Sequence, residues 1–275
     1  MSPRPARPPS PKQPRRPRLP PIQLSPIRSG KSTQLDTAVT KSGHALPPYE
    51  RFDEFMAHWE WKQGEHLTTI GPTGSGKTVL NRELLARRLY TVVLGVKNHD
   101  VELYGPFQAQ GYELTSNFEP EPPADAEFAR VLFVPKSSKH GVAARQDKGR
   151  AFRHVLNEVY DVGYWCVYVD DVQYMSEKLK LAPELEELWM LGRSEGVSVA
   201  ASSQEPVDIP VMAYGMATHL FLFANRDVYR AKRMAELTGV NREIAEQTIL
   251  TLPDHEFLYI NKRSGEMRRS KVIRG

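Results

Sequence analysis

The 275-residue sequence is short of several features, and each shortage excludes a class. It has a single cysteine, Cys166, so neither an internal disulfide framework nor a cysteine-built zinc site can form. No apolar run approaches the ~20 residues that a membrane helix needs, and the mean hydropathy is -0.49. A membrane-spanning protein is therefore not expected. Acid is missing from one end: Met1 to Leu35 holds eight Lys or Arg and no Asp or Glu. Beyond Leu35, 29 basic residues face 33 acidic ones. The net charge of +4 thus hides a basic end and a mildly acidic body. That body has an ordinary globular composition, with 40% hydrophobic and 25% charged residues in the whole chain, and the length suits one large domain or two small ones.

The basic end is also proline-rich, with ten of the 22 prolines before residue 27. Proline at this density removes backbone donors and blocks both helix and sheet. Arginine repulsion and scarce apolar residues add to the expectation of a disordered tail over 1–45 with local polyproline II. It has no apolar h-region, so it does not read as a secretory signal, and a cytoplasmic location is expected. The tail has two readings: an arm that touches DNA or an acidic partner, or a solubilising extension without a fixed partner.

Over 46–275 the pattern is that of a folded domain. Tyr49 to Trp61 spaces large apolar groups at helical intervals, which suggests a short helix docked on the rest of the domain. From His66 strand-like and helix-like runs alternate. Strands are expected at His66–Ile70, Thr91–Val96, Arg130–Val134, Trp165–Asp170, Val197–Ser202 and His219–Phe223. Helices are expected at 79–89, 150–160, 183–191 and from an Asp227 cap to Gly239. A final hairpin is expected from Glu256–Asn261 and Glu266–Ile273, turning near Ser264-Gly265. Residues 97–127 read as a looser segment. Alternation of this kind predicts an α/β fold of three layers around a mainly parallel sheet.

The densest chemical signal is Gly71-Pro72-Thr73-Gly74-Ser75-Gly76-Lys77-Thr78, a complete Walker A pattern between a strand and a helix. Its glycines let successive N–H groups point inward, and the helix after it presents its amino end to a phosphate. Lys77 would supply a cation to the β- and γ-phosphates, and the Thr78 hydroxyl would ligate Mg2+. The partner signal is Cys166-Val-Tyr-Val169-Asp170-Asp171, an apolar strand ending in acids at the carboxyl edge of a sheet. Asp170 would hold Mg2+, through water, since that ion keeps part of its hydration. Asp171 would orient or deprotonate an attacking water. The shared reading is a P-loop NTPase domain of the RecA or FtsK kind.

A third element is more selective. Gly192-Arg193-Ser-Glu-Gly196 precedes a strand that ends in Ser203-Gln204-Glu-Pro206. With the two motifs above, these residues resemble the FtsK–HerA superfamily of DNA-pumping ATPases, over about residues 64 to 235. The resemblance implies ATP rather than GTP, and no guanine-reading N-K-x-D element is present. It implies that Gln204 senses the γ-phosphate and that Arg193 acts across a subunit boundary as an arginine finger, with Arg226 a weaker candidate. It further implies a homo-oligomer, suspected to be a hexameric ring, that translocates or packages double-stranded DNA. The sequence departs from the family in carrying Asp171 where glutamate is usual, and it lacks the membrane segments and winged-helix domain of cell-division pumps. This points to a small member such as those of phages and mobile elements.

Three basic regions are candidates for phosphate-backbone contact. One holds Lys136, Lys139, His140, Arg145, Lys148 and Arg150, where glycine and small residues around 137–144 suggest a mobile loop. The second is Arg230, Lys232 and Arg233; the third is Lys262, Arg263, Arg268, Arg269, Lys271 and Arg274. Each also reads as a solvated face. Trp59, Trp61, Tyr164 and Trp165 lack interleaved cations and read as core or interface. Two other functions stay open. Val169-Asp-Asp-Val-Gln-Tyr174 is similar to the Walker B strand of AAA+ initiators and helicase loaders, whose mark would be a helical lid after Phe223. A nucleotide-gated assembly module that does not translocate is the other.

Overall fold

The computed structural model describes residues 43–121, 127–207 and 209–273; most of the tail expected over 1–45, and Arg274, lie outside them. The fold is α/β in three layers. Its nine-stranded sheet is built from β1 (Leu67–Ile70), β2 (Tyr90–Leu94), β3 (Glu113–Thr115), β4 (Ala129–Phe133), β5 (Cys166–Val169), β6 (Ser198–Ser203), β7 (His219–Phe223), β8 (Glu256–Asn261) and β9 (Glu266–Lys271). The order across the sheet is β3-β4-β2-β5-β6-β1-β7-β8-β9. The seven strands from β3 to β7 run parallel, and β8 and β9 close the edge antiparallel. Each central strand alternates its side chains between two cores, because successive residues of a strand face opposite ways.

One core lies under α1 (Phe52–His58), α2 (Lys77–Leu85) and α3 (Val101–Ala109), and takes Leu67, Val93, Tyr168, Phe221 and Phe257 from the sheet. The other lies under α4 (Gly141–Val162), α5 (Ala182–Leu191), α6 (Val211–Gly215), α7 (Val228–Glu236) and α8 (Arg242–Thr251), and takes Ile70, Val167, Val169, Val199 and Leu222. Covering both faces is what a parallel sheet requires. The helices after Phe223 bury Ala231, Met234, Ala245 and Ile249 in this second core, and the chain then returns to the sheet. They are layers of the domain, not the separate lid that an AAA+ loader would carry. No helix among the described residues is long and apolar enough to cross a membrane.

Several elements differ from the sequence expectation. The segment 97–127 contains α3 and β3. Gly105 and Pro106 hide this helix from propensity, yet Asp100 caps it, its carboxylate accepting from Leu103 N at 3.1 Å. The expected mobile loop around 137–144 instead enters α4, whose 22 residues begin at Gly141 rather than 150. Its first turns hold only small or isolated apolar residues, Val142, Ala143 and Ala144, before the charged run 145–150, and the first buried large side chain is Phe152. A π-helical turn at Tyr174–Lys178 and the short α6 were not expected. The Asp227 cap holds, accepting from Arg230 N at 3.1 Å.

The docked helix α1 is held by Phe52 and Phe55 on its inner face and by Arg87, which donates to Met56 O and to Trp59 O. Phe55 is fully buried and meets Phe257 and Tyr259 edge-on at centroid distances of 5.5 and 5.2 Å. Trp59 and Trp165 are likewise buried, as core rather than stacking platforms. Phe55→Ala is expected to lower the unfolding free energy by about 3–5 kcal/mol, the usual cost of an emptied aromatic site. A denaturant titration checks this; a loss under about 1 kcal/mol would mean that α1 is not part of the cooperative fold.

Candidate nucleotide-binding site

Because seven strands run parallel, their carboxyl ends open on one edge. Gly71 follows Ile70 of β1, Asp170 follows Val169 of β5, and Gln204 follows Ser203 of β6. Strand β6 lies between β1 and β5, with Ile70 level with Ser203 and Val169 level with Ala201. The loop is therefore separated from the acids by the strand that carries Gln204. A main-chain bond from Gly71 N to Ser203 O, 3.2 Å, ties the loop to that strand.

The loop 71–76 is built for close approach. A Cβ on Gly71 would stand 2.6 Å from Phe223 Cβ, so no side chain fits between the loop and β7. Gly76 ends the loop at φ +109, a conformation side chains resist. It is also the N-cap of α2 and offers no side-chain cap, which leaves the first N–H groups of that helix for an anion. The Ser75 hydroxyl is buried with no hydrogen-bond partner. A buried polar group without a partner is costly, and a bound phosphate oxygen would satisfy it. His255, just before β8, braces the loop with Nδ1 3.2 Å from Ser75 O.

Lys77 folds back over this cradle. Its Nζ donates to Gly71 O at 2.6 Å and to Pro72 O at 2.9 Å, and the residue is 8% exposed. Burial pushes its ammonium down to about 8, while Asp170 and Asp171 act in the opposite sense. No ion pair within 4 Å joins Lys77 to either acid among the described residues. Asp170 is pushed up by burial and by the nearby charges of Asp171 and Asp100, against the Tyr168 hydrogen bond and Lys77. Asp171 turns the other way: its Oδ1 accepts Tyr174 N at 3.0 Å and starts the π-helical turn. Gln204 is exposed and accepts a 2.8 Å bond from the Thr73 hydroxyl of the loop.

Pro72, Thr73, Gly74 and Thr78 complete the loop and the first turn of α2. The oxygen donors Thr78 and Asp170 suit Mg2+, which takes its remaining ligands from phosphates and water; together with the orphaned Ser75 hydroxyl, these residues fit a metal-bound triphosphate. The two arginines stand apart. Arg193 is exposed in the turn before β6, and its backbone packs on Gly64, just before β1. It lies at the amino end of a six-residue strand whose other end carries Gln204, about 20 Å away at strand rise. Arg226 is on the loop's edge of the sheet, but its guanidinium is bound to Leu252 O at 2.8 Å and to Leu250 O.

The motifs did not point to Tyr168, Asn81, His255 or Phe223. Tyr168 had a signal, since it is two residues before Asp170 and so shares its face. Asn81 lies in α2 one turn past Thr78, while His255 and Phe223 come from a turn and a strand whose approach to the loop only the tertiary fold defines.

Fold and loop together define a P-loop NTPase architecture. No protein-family model matches the chain, and no curated protein does. Among solved structures it is similar to the genome packaging NTPase B204 from Sulfolobus turreted icosahedral virus 2, in complex with ATP-gammaS. That match has a TM-score of 0.55 and 16% identity, over 78% of this chain and 100% of that one. It is also similar to VirB4 of Thermoanaerobacter pseudethanolicus, at TM-score 0.54 and 10% identity over 91% and 99%. A third is the bacterial conjugative coupling protein TrwBdeltaN70, at 0.52 and 12% over 88% and 90%. At these identities the likeness is one of fold, and it is the fold that the FtsK–HerA resemblance implies.

The depressed Lys77 gives a pH signature. An empty site holds Lys77 largely neutral above about pH 8, and a polyphosphate restores its charge by raising its pKa. Binding should therefore take up roughly one proton near pH 8.5, and affinity should fall as pH rises through this range. Calorimetry of ATP binding in buffers of different ionisation enthalpy measures this; Lys77→Ala should abolish the uptake. Equal heats in all buffers would contradict the placement of Lys77.

Proposed function

We propose that the protein is an ATP-hydrolysing motor that moves double-stranded DNA as a homo-oligomeric ring. The observation that carries the reading is the Thr73–Gln204 bond, which ties the phosphate loop to the one strand lying between it and Asp170. In that place a glutamine amide can donate to a γ-phosphate and accept from the lytic water, and so register whether the terminal phosphate is present.

In this reading the loop N–H groups and Lys77 hold the β- and γ-phosphates of ATP. Thr78 and Asp170 hold Mg2+, which would neutralise charge on the phosphates. Asp171 and Gln204 align the water. Arg193, at the far edge of its own sheet, contributes only to a neighbour's site, and that is why a ring is required. The folds shared with a genome packaging NTPase and a conjugative coupling protein support DNA as the cargo. Cytoplasmic action agrees with this reading.

All three basic regions are part-paired. In the first, Lys139 is bound to Asp147 at 3.1 Å, Arg150 to the same acid, and Lys148 to Val96 O at 2.6 Å, which leaves Lys136 and Arg145 unpaired among the described residues. In the third, Arg268 is paired with Glu50 at 3.1 Å, Arg263 with Glu65 at 3.3 Å, and Arg269 with Pro47 O at 2.7 Å. In the second, Arg230 is paired with Glu205 at 3.0 Å. The first borders a groove of about 960 Å³ between α4 and the π-helical turn, lined by Arg145, Arg150, Arg153, Lys178 and Lys180. Arg150, Arg153 and Lys178 are paired with Asp147, Glu184 and Glu177, which leaves Arg145 and Lys180 as its unpaired cations among the described residues. The groove starts at Tyr174, whose N–H is held by Asp171, so DNA seated there would press on a catalytic acid. Charge excludes the basic tail as its occupant.

One observation favours the assembly-module alternative. Asp171 Oδ1 is already engaged by Tyr174 N, and an aspartate reaches less far than the usual glutamate. Turnover separates the two readings. ATP hydrolysis should be stimulated by duplex DNA, fall about 10²- to 10³-fold in Gln204→Ala and vanish in Lys77→Ala. Arg193→Ala subunits should be inactive alone and regain turnover when mixed with Lys77→Ala subunits. Tight ATP binding without turnover would favour the module, and monomeric hydrolysis indifferent to DNA would exclude the motor.

The groove has its own test. Arg145 and Lys180 have no side-chain partner among the described residues, so Arg145→Glu with Lys180→Glu should leave the fold intact. The pair should weaken duplex binding at least tenfold and flatten the log-affinity against log-salt slope by about two. Anisotropy titrations across salt measure both. Unchanged slope and affinity would move the DNA contact elsewhere.

A further inference from the structure

A line of buried polar groups runs beneath the phosphate loop, through three elements. The Thr69 hydroxyl of β1 donates to Asn81 Oδ1 of α2 at 2.8 Å. Asn81 Nδ2 donates to the Tyr168 hydroxyl of β5 at 3.3 Å. That hydroxyl donates to Asp170 Oδ1 at 2.7 Å. Thr69 and Tyr168 are fully buried, and Asn81 is 1% exposed. The direction of the line is fixed by chemistry. An ionised carboxylate only accepts, so the tyrosine proton points at Asp170. The tyrosine oxygen is then free to accept from the Asn81 amide, whose carbonyl faces the remaining donor, Thr69.

Apart from the buried Ser202 hydroxyl of β6, which also acts on Tyr168, the neighbourhood is apolar. Cys166, Val167 and Val169 complete β5, and Leu67, Leu80, Leu84 and Phe107 share the core with Tyr168. Phenylalanine would fill the same volume without a polar atom to satisfy. The hydroxyl, and the amide that orients it, therefore need a purpose other than packing. They also join two parts that a nucleotide must bridge. Asn81 is three residues beyond Thr78 and one helical turn further along α2, and Asp170 ends the facing strand.

We propose that Tyr168, oriented by Asn81 and Thr69, is a positioning residue for Asp170. By occupying Oδ1 it fixes the plane of the carboxylate and leaves Oδ2 directed to the hydrated Mg2+ that accompanies the triphosphate. Because the line starts on β1 and passes through α2, it also holds the Thr78 hydroxyl and Asp170 at a constant separation. The inference rests on the reading of Asp170 as the metal-side acid. It adds what keeps that acid in place before the ligand arrives.

The test is calorimetric binding of the slowly hydrolysed analogue ATP-gammaS in excess Mg2+ and in EDTA, for wild type, Tyr168→Phe, Asn81→Ala and Asp170→Asn. Wild type should bind more tightly with Mg2+, and Asp170→Asn should lose that gain. Tyr168→Phe should keep the affinity measured in EDTA, which depends on the loop, and lose about 10- to 100-fold of the Mg2+-dependent gain, as outer-shell substitutions do. Asn81→Ala should act in the same direction and less strongly, without altering β5; it decides the matter if Tyr168→Phe does not fold. A Mg2+-dependent gain equal to wild type in either folded variant overturns the proposal, as does an equal loss in EDTA and in Mg2+. Absence of the gain in wild type, or its survival in Asp170→Asn, refutes instead the reading of Asp170 on which the proposal stands.

Discussion

The structure turns on an ammonium group held out of water by its own loop. Lys77 donates to the carbonyls of Gly71 and Pro72, and neither carboxylate across the sheet edge is in direct contact with it. Carbonyl dipoles compensate only part of what a buried cation loses in hydration, and so its pKa falls to about 8. A phosphate is the ligand that supplies the missing charge. The rest of the edge keeps this arrangement in place: Phe223 bars any side chain at Gly71, and His255 holds Ser75. The antiparallel strands beyond β7 thus serve the site although they carry no motif residue.

Sheet topology does the rest. Parallel strands gather the loop, Gln204 and the two acids on one edge, and the same parallelism sends Arg193 to the other. Arg193 and Gln204 stand on opposite ends of the six-residue β6, about 20 Å apart. If Arg193 takes part in hydrolysis, the unit that hydrolyses is larger than one chain. The groove beside α4 lies on the path from Asp171 through the π-helical turn.

Much of this was legible in the sequence. The three-layer plan, the loop and the acids follow from alternation and from two local motifs, because strand–loop–helix contacts are set by neighbours in sequence. Helix α3 was not legible, since Gly105 and Pro106 weaken its propensity and it is sustained by the Asp100 cap and the burial of Leu103, Tyr104 and Phe107. The early turns of α4 looked like a loop because their stabilising contact, Gly149 against the backbone of Leu179, joins segments thirty residues apart. The polar line beneath Asp170 was invisible for the same reason. Thr69, Asn81 and Tyr168 are unremarkable singly, and only the sheet order brings them together. The tail, Arg274 and the oligomer are expectations of the sequence alone.

The decisive question is where Lys77 goes when the ligand arrives. The most direct measurement is an experimental structure with Mg2+ and ATP-gammaS. It should place the Lys77 ammonium on the β- and γ-phosphate oxygens, released from Gly71 and Pro72, with the metal between Thr78 and Asp170. A nucleotide bound elsewhere, or a Lys77 still closed on its two carbonyls beside a bound triphosphate, would contradict it.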